Sequence, residues 1–196
     1  MKHGLNNLWP TQVMFENVKN EKLLEETIQD ILLTANLEIP QSDFQQHDIL
    51  ADGSAIIQEF RKEIVEPMFD TYLKQVIGVG LDNFNEYWIR SWLAGTSAGY
   101  KIDPHNHTGA SISAVFYLLC EEVGAGGELV LMDPRTNANR GYTKSFSPLF
   151  SPKSILPKTG DVLIFPSFVY HYSTMFEGKL RLAMPVDLFL NESVLK

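Results

Sequence analysis

Five histidines are the residues best suited to chemistry in this chain, and three of them are spaced to act together. In Asp103-Pro104-His105-Asn106-His107 the two imidazoles alternate along an extended segment, so they point to the same side as a chelating pair. His171 follows a Gly-Asp-Val-Leu-Ile-Phe-Pro-Ser run that reads as a buried strand ending in a turn, and a partner strand can return it to the pair. Imidazole is the commonest ligand for Zn, Cu, Fe and Ni, and three imidazoles on a β scaffold leave coordination positions open. Arg181 lies ten residues beyond His171 in the apolar strand KLRLAMPV. A guanidinium there is costly unless it meets a carboxylate or phosphate, and its fork suits bidentate carboxylate recognition; the bland reading is an edge-strand arginine with its head in water. His3 and His47 sit in polar stretches and read as solvated surface residues.

The elements that must position these residues change character near residue 80. Before it, Leu24, Ile28 and Ile31 share a face of a helix over Glu21 to Asn36. Gly53-Ser54 opens a second helical run with Ile57, Phe60, Ile64 and Met68 on one face and Pro67 as a kink or break. After residue 80, short β-branched and aromatic runs alternate with Gly, Pro, Asn and Asp clusters. They predict strands at Tyr87 to Leu93, Lys101 to Pro104, Ser111 to Leu119, Glu128 to Met132, Asp161 to Phe165, Val169 to Met175 and Leu180 to Leu190. Many short strands suggest a closed or double-sheeted architecture such as a jelly roll, and Thr136 to Lys158 reads as a long loop over one end. The expected organisation is residues 1–80 as helical scaffold packed on a barrel of residues 81–196.

At 196 residues the chain suffices for one domain with its own core. A net charge of -8 without any Lys/Arg run gives no electrostatic case for nucleic acid. The single cysteine, Cys120, cannot form an internal disulfide, no segment is apolar enough for a membrane span, and MKHGLNNLWPTQ lacks the core of a secretory signal. The expectation is a cytoplasmic, reduced protein, with a homodimer left open.

In order, GYKIDPHNH, SISAVFYL, GGELVLMDPR and PKTGDVLIFPS, followed by a His and ten residues later an Arg, resemble the core of the Fe(II)/2-oxoglutarate-dependent dioxygenases. More narrowly, the chain is similar to the 2-oxoglutarate oxygenases of bacteria and tailed phages that carry an H-x-H pair before a strand ending in tyrosine. The resemblance covers about residues 88–190, and Leu8-Trp9-Pro10-Thr11 is similar to the start of that group. It implies a mainly β chain with N-terminal helices, built as a double-stranded β-helix, a cupin-like jelly roll with its metal between two sheets. It implies Fe(II) as cofactor and 2-oxoglutarate as cosubstrate, with hydroxylation of a substrate while 2-oxoglutarate and O₂ become succinate and CO₂. His105 matches the first histidine of the ligand pair, His171 the distal one, and Arg181 the residue that salt-bridges the far carboxylate of 2-oxoglutarate.

The position that usually holds a carboxylate is His107, so the ligand set becomes His105, His107 and His171. A second alignment takes His107-Thr108-Gly109 as the H-x-G form of the aspartyl/asparaginyl β-hydroxylases, with His107 and His171 as ligands and His105 behind or substrate-facing. The three-ligand reading is preferred because Gly99 to His105 reproduces the usual approach to the first ligand. The resemblance also implies Tyr117 as a cosubstrate hydrogen-bond donor, with Ser113 sharing its face; a core aromatic is the plainer reading of Tyr117. Ser111 and Thr96 are further candidates, Asp103 reads as solvated, and Asp133-Pro134-Arg135 reads as a structural corner. The substrate stays open among a peptide, a nucleotide and a small metabolite. Two other functions are compatible with these residues: a cupin-like three-histidine metalloenzyme that does not use 2-oxoglutarate, and a non-catalytic structural barrel module.

Overall fold

The protein is described by a computed structural model covering residues 10–34, 48–120, 125–135 and 152–191. Its two antiparallel sheets both contribute walls to one pocket. The larger sheet runs, in spatial order, β1 (Met14–Asn17), β7 (Asp161–Pro166), β4 (Ile112–Cys120), β9 (Arg181–Leu190) and β2 (Tyr87–Ser91), with β3 (Ala94–Thr96) also paired on β9. The smaller one runs β6 (Lys153–Ile155), β5 (Leu129–Leu131) and β8 (His171–Ser173). This is the jelly-roll arrangement expected from the sequence, although among the described residues the two sheets are not joined into one closed barrel.

Strands β4 and β9 are buried on both faces, and period-two alternation sorts each into two cores. Ile112, Ala114, Phe116 and Leu118 of β4 point out to the helices, whereas Val115 and Tyr117 point in toward Leu129 and Leu131 of the smaller sheet. On β9 the outward set is Leu182, Met184, Val186 and Leu188, so Arg181, Ala183, Pro185 and Asp187 share the inward face. Register β2–β9 and register β3–β9 continue one another, from Ser91↔Val186 to Ala94↔Ala183, and Trp92 donates to the carbonyl of Pro185. The two short strands are therefore one edge strand, interrupted where Pro185 has no N–H for the ladder.

Helix α1 (Glu21–Thr34) begins where Asn20 Oδ1 accepts from the backbone N–H of Leu23, and it buries Leu23, Leu24, Thr27 and Ile31 on one stripe. A short α2 (Ile49–Asp52) is capped by Asp48 and α3 (Ala55–Phe60) by Ser54. Pro67 does not break the second helical run. A π-helical turn over Arg61–Val65 links α3 to α4 (Glu66–Ile77), with the Glu66 N–H reaching back to the Arg61 carbonyl. The wider turn lies just before the residue that can neither donate a hydrogen bond nor tolerate a normal preceding turn. The helix then ends at Gly78 in the left-handed conformation, φ 80°.

The structure departs from the sequence reading in its shortest elements. β1 lies in the segment expected to be helical and adds an edge strand beside β7; β6 lies within the stretch expected to be loop. Residues 101–104 form no regular strand, yet isolated bridges Tyr100↔Phe176 and His105↔His171 lay this segment antiparallel to β8. His3, His47, Leu8, Trp9 and the end of the first predicted helix lie outside the described residues, as do residues 136–151 of the predicted loop.

Phe116 is fully buried under the helices and meets Phe60 edge to face, with ring centroids 5.9 Å apart. Phe116→Ala is expected to destabilise the fold by about 3–5 kcal/mol, read as a lowered urea midpoint at unchanged m-value. A loss below about 1 kcal/mol would contradict this account of the core.

Candidate metal centre

Backbone pairing brings the first and third histidines together. His105 and His171 exchange both main-chain hydrogen bonds, 3.0 and 2.8 Å, as a directly opposed antiparallel pair, which puts their side chains on one face. The chain then advances two residues, the His107 N–H donates to the Ser167 carbonyl at 3.1 Å, and the second imidazole of the H-x-H pair returns to the same side. Ring centroids lie 4.4 Å apart for His105 and His171, 5.1 Å for His107 and His171 and 5.3 Å for His105 and His107. One potential ligand nitrogen from each ring lies within 4.8 Å of the other two.

The hydrogen bonds of the rings decide which nitrogen is free. Nδ1 of His105 donates to the Asp103 carbonyl at 2.8 Å, Nδ1 of His171 to the Val169 carbonyl at 3.0 Å, and Nδ1 of His107 to Oδ1 of Asp187 at 2.6 Å. Two of the acceptors are carbonyl oxygens and the third is a carboxylate oxygen, so each Nδ1 is the donor and Nε2 is the nitrogen left to bind a metal. Burial also favours the uncharged rings: it holds His105 below the ordinary histidine range and pushes His171 down to about 3, with the neighbouring imidazoles adding to the effect. Three oriented, converging imidazoles fit a divalent transition metal.

The pocket above this cluster is walled by apolar side chains, among them Trp92, Ile102, Val115, Leu129 and Ala183. Arg181, in register opposite Thr96 at one end of the inward face of β9, lines it as well and is only 4% exposed. Its Nη1 donates to the Gly127 carbonyl, Nη2 lies 3.5 Å from Thr96 Oγ1, and the rings of Phe176 and Tyr117 flank the guanidinium at 5.3 and 5.9 Å. Among the described residues, Arg181 Nε is the buried side-chain polar atom left without a hydrogen-bond partner. A buried unpaired donor is unfavourable, and the guanidinium that carries it belongs to a residue lining the pocket, which suits an anionic ligand. Tyr117 lines the same pocket, and burial raises its phenol pKa, which keeps the hydroxyl a neutral donor.

The other candidates divide. Ser113 shares the inward face but is fully buried, and its hydroxyl is engaged with Asp187, Ser167 and His107 rather than lining the pocket. Ser111 Oγ accepts from the Leu190 N–H, Asp103 is exposed and paired with Lys101, and Asp133 closes a local turn with Arg135. Sequence reasoning missed Asp187, Trp92 and Gly127. Trp92 packs its ring 5.4 Å from that of His107, and Asp187 is a buried carboxylate against a candidate ligand.

A family described as "Putative 2OG-Fe(II) oxygenase" matches residues 90–187, half of the chain. No curated protein matches. Among solved structures, a Pseudomonas putida prolyl-4-hydroxylase is 15% identical with a TM-score of 0.58, covering 89% of this chain and 85% of that one. A Trichoplax adhaerens prolyl hydroxylase, in complex with a hypoxia inducible factor peptide fragment, is 14% identical with a TM-score of 0.61, covering 90% and 83%. A viral collagen prolyl hydroxylase from Paramecium Bursaria Chlorella virus-1, in its 2-oxoglutarate complex, is 13% identical with a TM-score of 0.56, covering 89% and 94%. At these identities the likeness is one of fold. No helix among the described residues is long and apolar enough to cross a membrane.

Proposed function

The chain belongs to the 2OG-Fe(II) oxygenase family, whose cofactor is Fe(II) and whose cosubstrate is 2-oxoglutarate, and from that premise we propose that it hydroxylates a substrate C–H bond with O₂. The observation that carries the reading is the pairing, in one pocket, of three imidazoles with free Nε2 atoms and a buried guanidinium with an unpaired N–H. In this reading His105, His107 and His171 hold Fe(II), and Arg181 binds the far carboxylate of 2-oxoglutarate through its fork. Tyr117 offers that carboxylate a neutral hydroxyl. Ser113 is assigned a place beneath His107, since its hydrogen bonds are already taken there. Bound iron supplies the redox chemistry; the chain orients the cosubstrate and keeps the pocket apolar. Residues 1–80 serve as scaffold for a catalytic core of residues 81–196, a division supported by the burial of the helices against the outer face of the larger sheet.

The test is turnover: with Fe(II), 2-oxoglutarate and O₂ the protein should form succinate, and omission of any one should stop it. Absence of succinate from metal-loaded protein that binds 2-oxoglutarate would count against an oxygenase.

Gly127 gives the cosubstrate end of the pocket its own test. Its φ is +74°, and a Cβ there would overlap the guanidinium of Arg181. Gly127→Ala should displace the arginine head and weaken 2-oxoglutarate binding about ten- to a hundredfold, the worth of one hydrogen bond to a charged group. Mn(II) affinity should stay unchanged in the same titrations. Loss of metal binding instead would mean that the substitution acts on the whole pocket.

A further inference from the structure

Strand β9 carries a second buried charge on the face that carries Arg181. Asp187 is 3% exposed, and its register partners are Ser113 on β4 and Arg90 on β2. A carboxylate inside an apolar strand is as costly as a guanidinium unless its oxygens are satisfied. Oδ1 accepts from Nδ1 of His107 and from Oγ of Ser113, both at 2.6 Å, and Ser113 Oγ lies 2.8 Å from Ser167 Oγ. Ser113 has one hydroxyl proton and gives it to Asp187, so Ser167 is the donor in the last contact. The two serines thus donate in sequence toward Asp187, whose Oδ1 also accepts from one imidazole.

That imidazole is treated differently from the other two. Nδ1 of His105 and Nδ1 of His171 are held by backbone carbonyls, which are neutral, while Nδ1 of His107 alone is held by an ionisable side chain. The three rings are all uncharged ligands, and Asp187 stands directly behind one of them.

We infer that Asp187 is a positioning residue for the metal centre: it locks His107 as the Nδ1–H tautomer with Nε2 toward the other imidazoles, and it supplies from behind the negative charge that three neutral ligands lack. A carboxylate hydrogen-bonded to a ligating imidazole orients the ring and raises its basicity, and removing such a partner costs metal affinity. The inference rests on the reading of the three histidines as a metal centre.

Asp187→Asn separates charge from shape, because an amide Oδ1 can still accept from His107. Titration of anaerobic protein with Mn(II) should show affinity reduced about 10- to 100-fold. The potential of bound iron should rise, since a lost negative charge favours Fe(II) over Fe(III). In metal-free protein, the slowly exchanging Nδ1–H resonance identified by its loss in His107→Ala should persist in Asp187→Asn but move upfield, because a neutral acceptor makes a weaker hydrogen bond. Ser113→Ala keeps the charge and removes a competing donor from Oδ1, so it should move the Nδ1–H resonance downfield and the iron potential down, opposite to Asp187→Asn, and it carries the test if Asp187→Asn does not fold. His171→Ala is the control that separates the two readings. If His171→Ala binds Mn(II) as tightly as wild type, the metal centre itself is wrong. If His171→Ala abolishes binding while the folded Asp187 or Ser113 variants keep wild-type affinity, potential and Nδ1–H resonance, the role of Asp187 is overturned and the centre stands.

Discussion

Replacing His171 by alanine is expected to weaken divalent-metal binding by more than about a hundredfold, beyond the cost of losing an outer partner, and to abolish turnover with it. His171 is 4% exposed and its Nδ1 is tied to the Val169 carbonyl, so its ring has one orientation and one free nitrogen. Burial keeps it uncharged, so the metal displaces no proton from it. The backbone of β8 does not depend on the ring. His171 exchanges main-chain hydrogen bonds with His105 and pairs with Leu131 across β5, and both survive the substitution. The variant should therefore keep its far-ultraviolet spectrum while Mn(II) titration goes flat. Retained affinity would remove His171 from the ligand set. The same titration on His105→Ala decides between the two sequence alignments: the three-ligand reading expects a loss comparable to that of His171→Ala, whereas a His107/His171 pair expects binding to survive.

Arg181→Ala should leave the metal in place and remove the cosubstrate. The guanidinium sits between the rings of Phe176 and Tyr117, anchored to Gly127, with Nε unpaired. Truncating one partner of a buried, hydrogen-bonded charge pair costs about 2–5 kcal/mol, which is about thirty- to several-thousandfold in the affinity of metal-loaded protein for 2-oxoglutarate. Arg181→Lys should recover part of this, since an ammonium restores the charge and not the fork. The split between unchanged Mn(II) affinity and lost 2-oxoglutarate affinity distinguishes an anion-binding arginine from a structural one. It also separates the oxygenase from a cupin-like three-histidine enzyme, for which 2-oxoglutarate would not bind the wild-type protein either.

Much of this site is legible in the sequence because it follows from strand parity. An H-x-H pair must present two rings on one side, and Arg181 stands out as a charge in an apolar strand. The same argument reaches Asp187, six residues later and therefore on the same face, in the run AMPVDLFL. Nothing in the sequence ties it to His107, because antiparallel pairing delivers it from the far end of β9, 80 residues away. Ser113 was placed on the right face, but a face does not say which acceptor a hydroxyl finds, and the buried Asp187 claims it. The large strands were visible from their β-branched runs; β1 and β6 were not, because strands of four and three residues at sheet edges show no alternation to detect. At Pro67 local stereochemistry points to a kink or break, and the structure puts a π-helical turn just before the proline while the helical run continues.

The central claim is that three imidazoles hold the metal while Arg181 holds the cosubstrate's far carboxylate. A crystal structure of the protein with Mn(II) and the inert 2-oxoglutarate analogue N-oxalylglycine tests it most directly. The account predicts one metal ion bound by Nε2 of His105, His107 and His171, the analogue chelating it, and its distal carboxylate on the guanidinium of Arg181. A metal bound by only two of the three rings, or an analogue whose distal carboxylate leaves Arg181 unpaired, would contradict it.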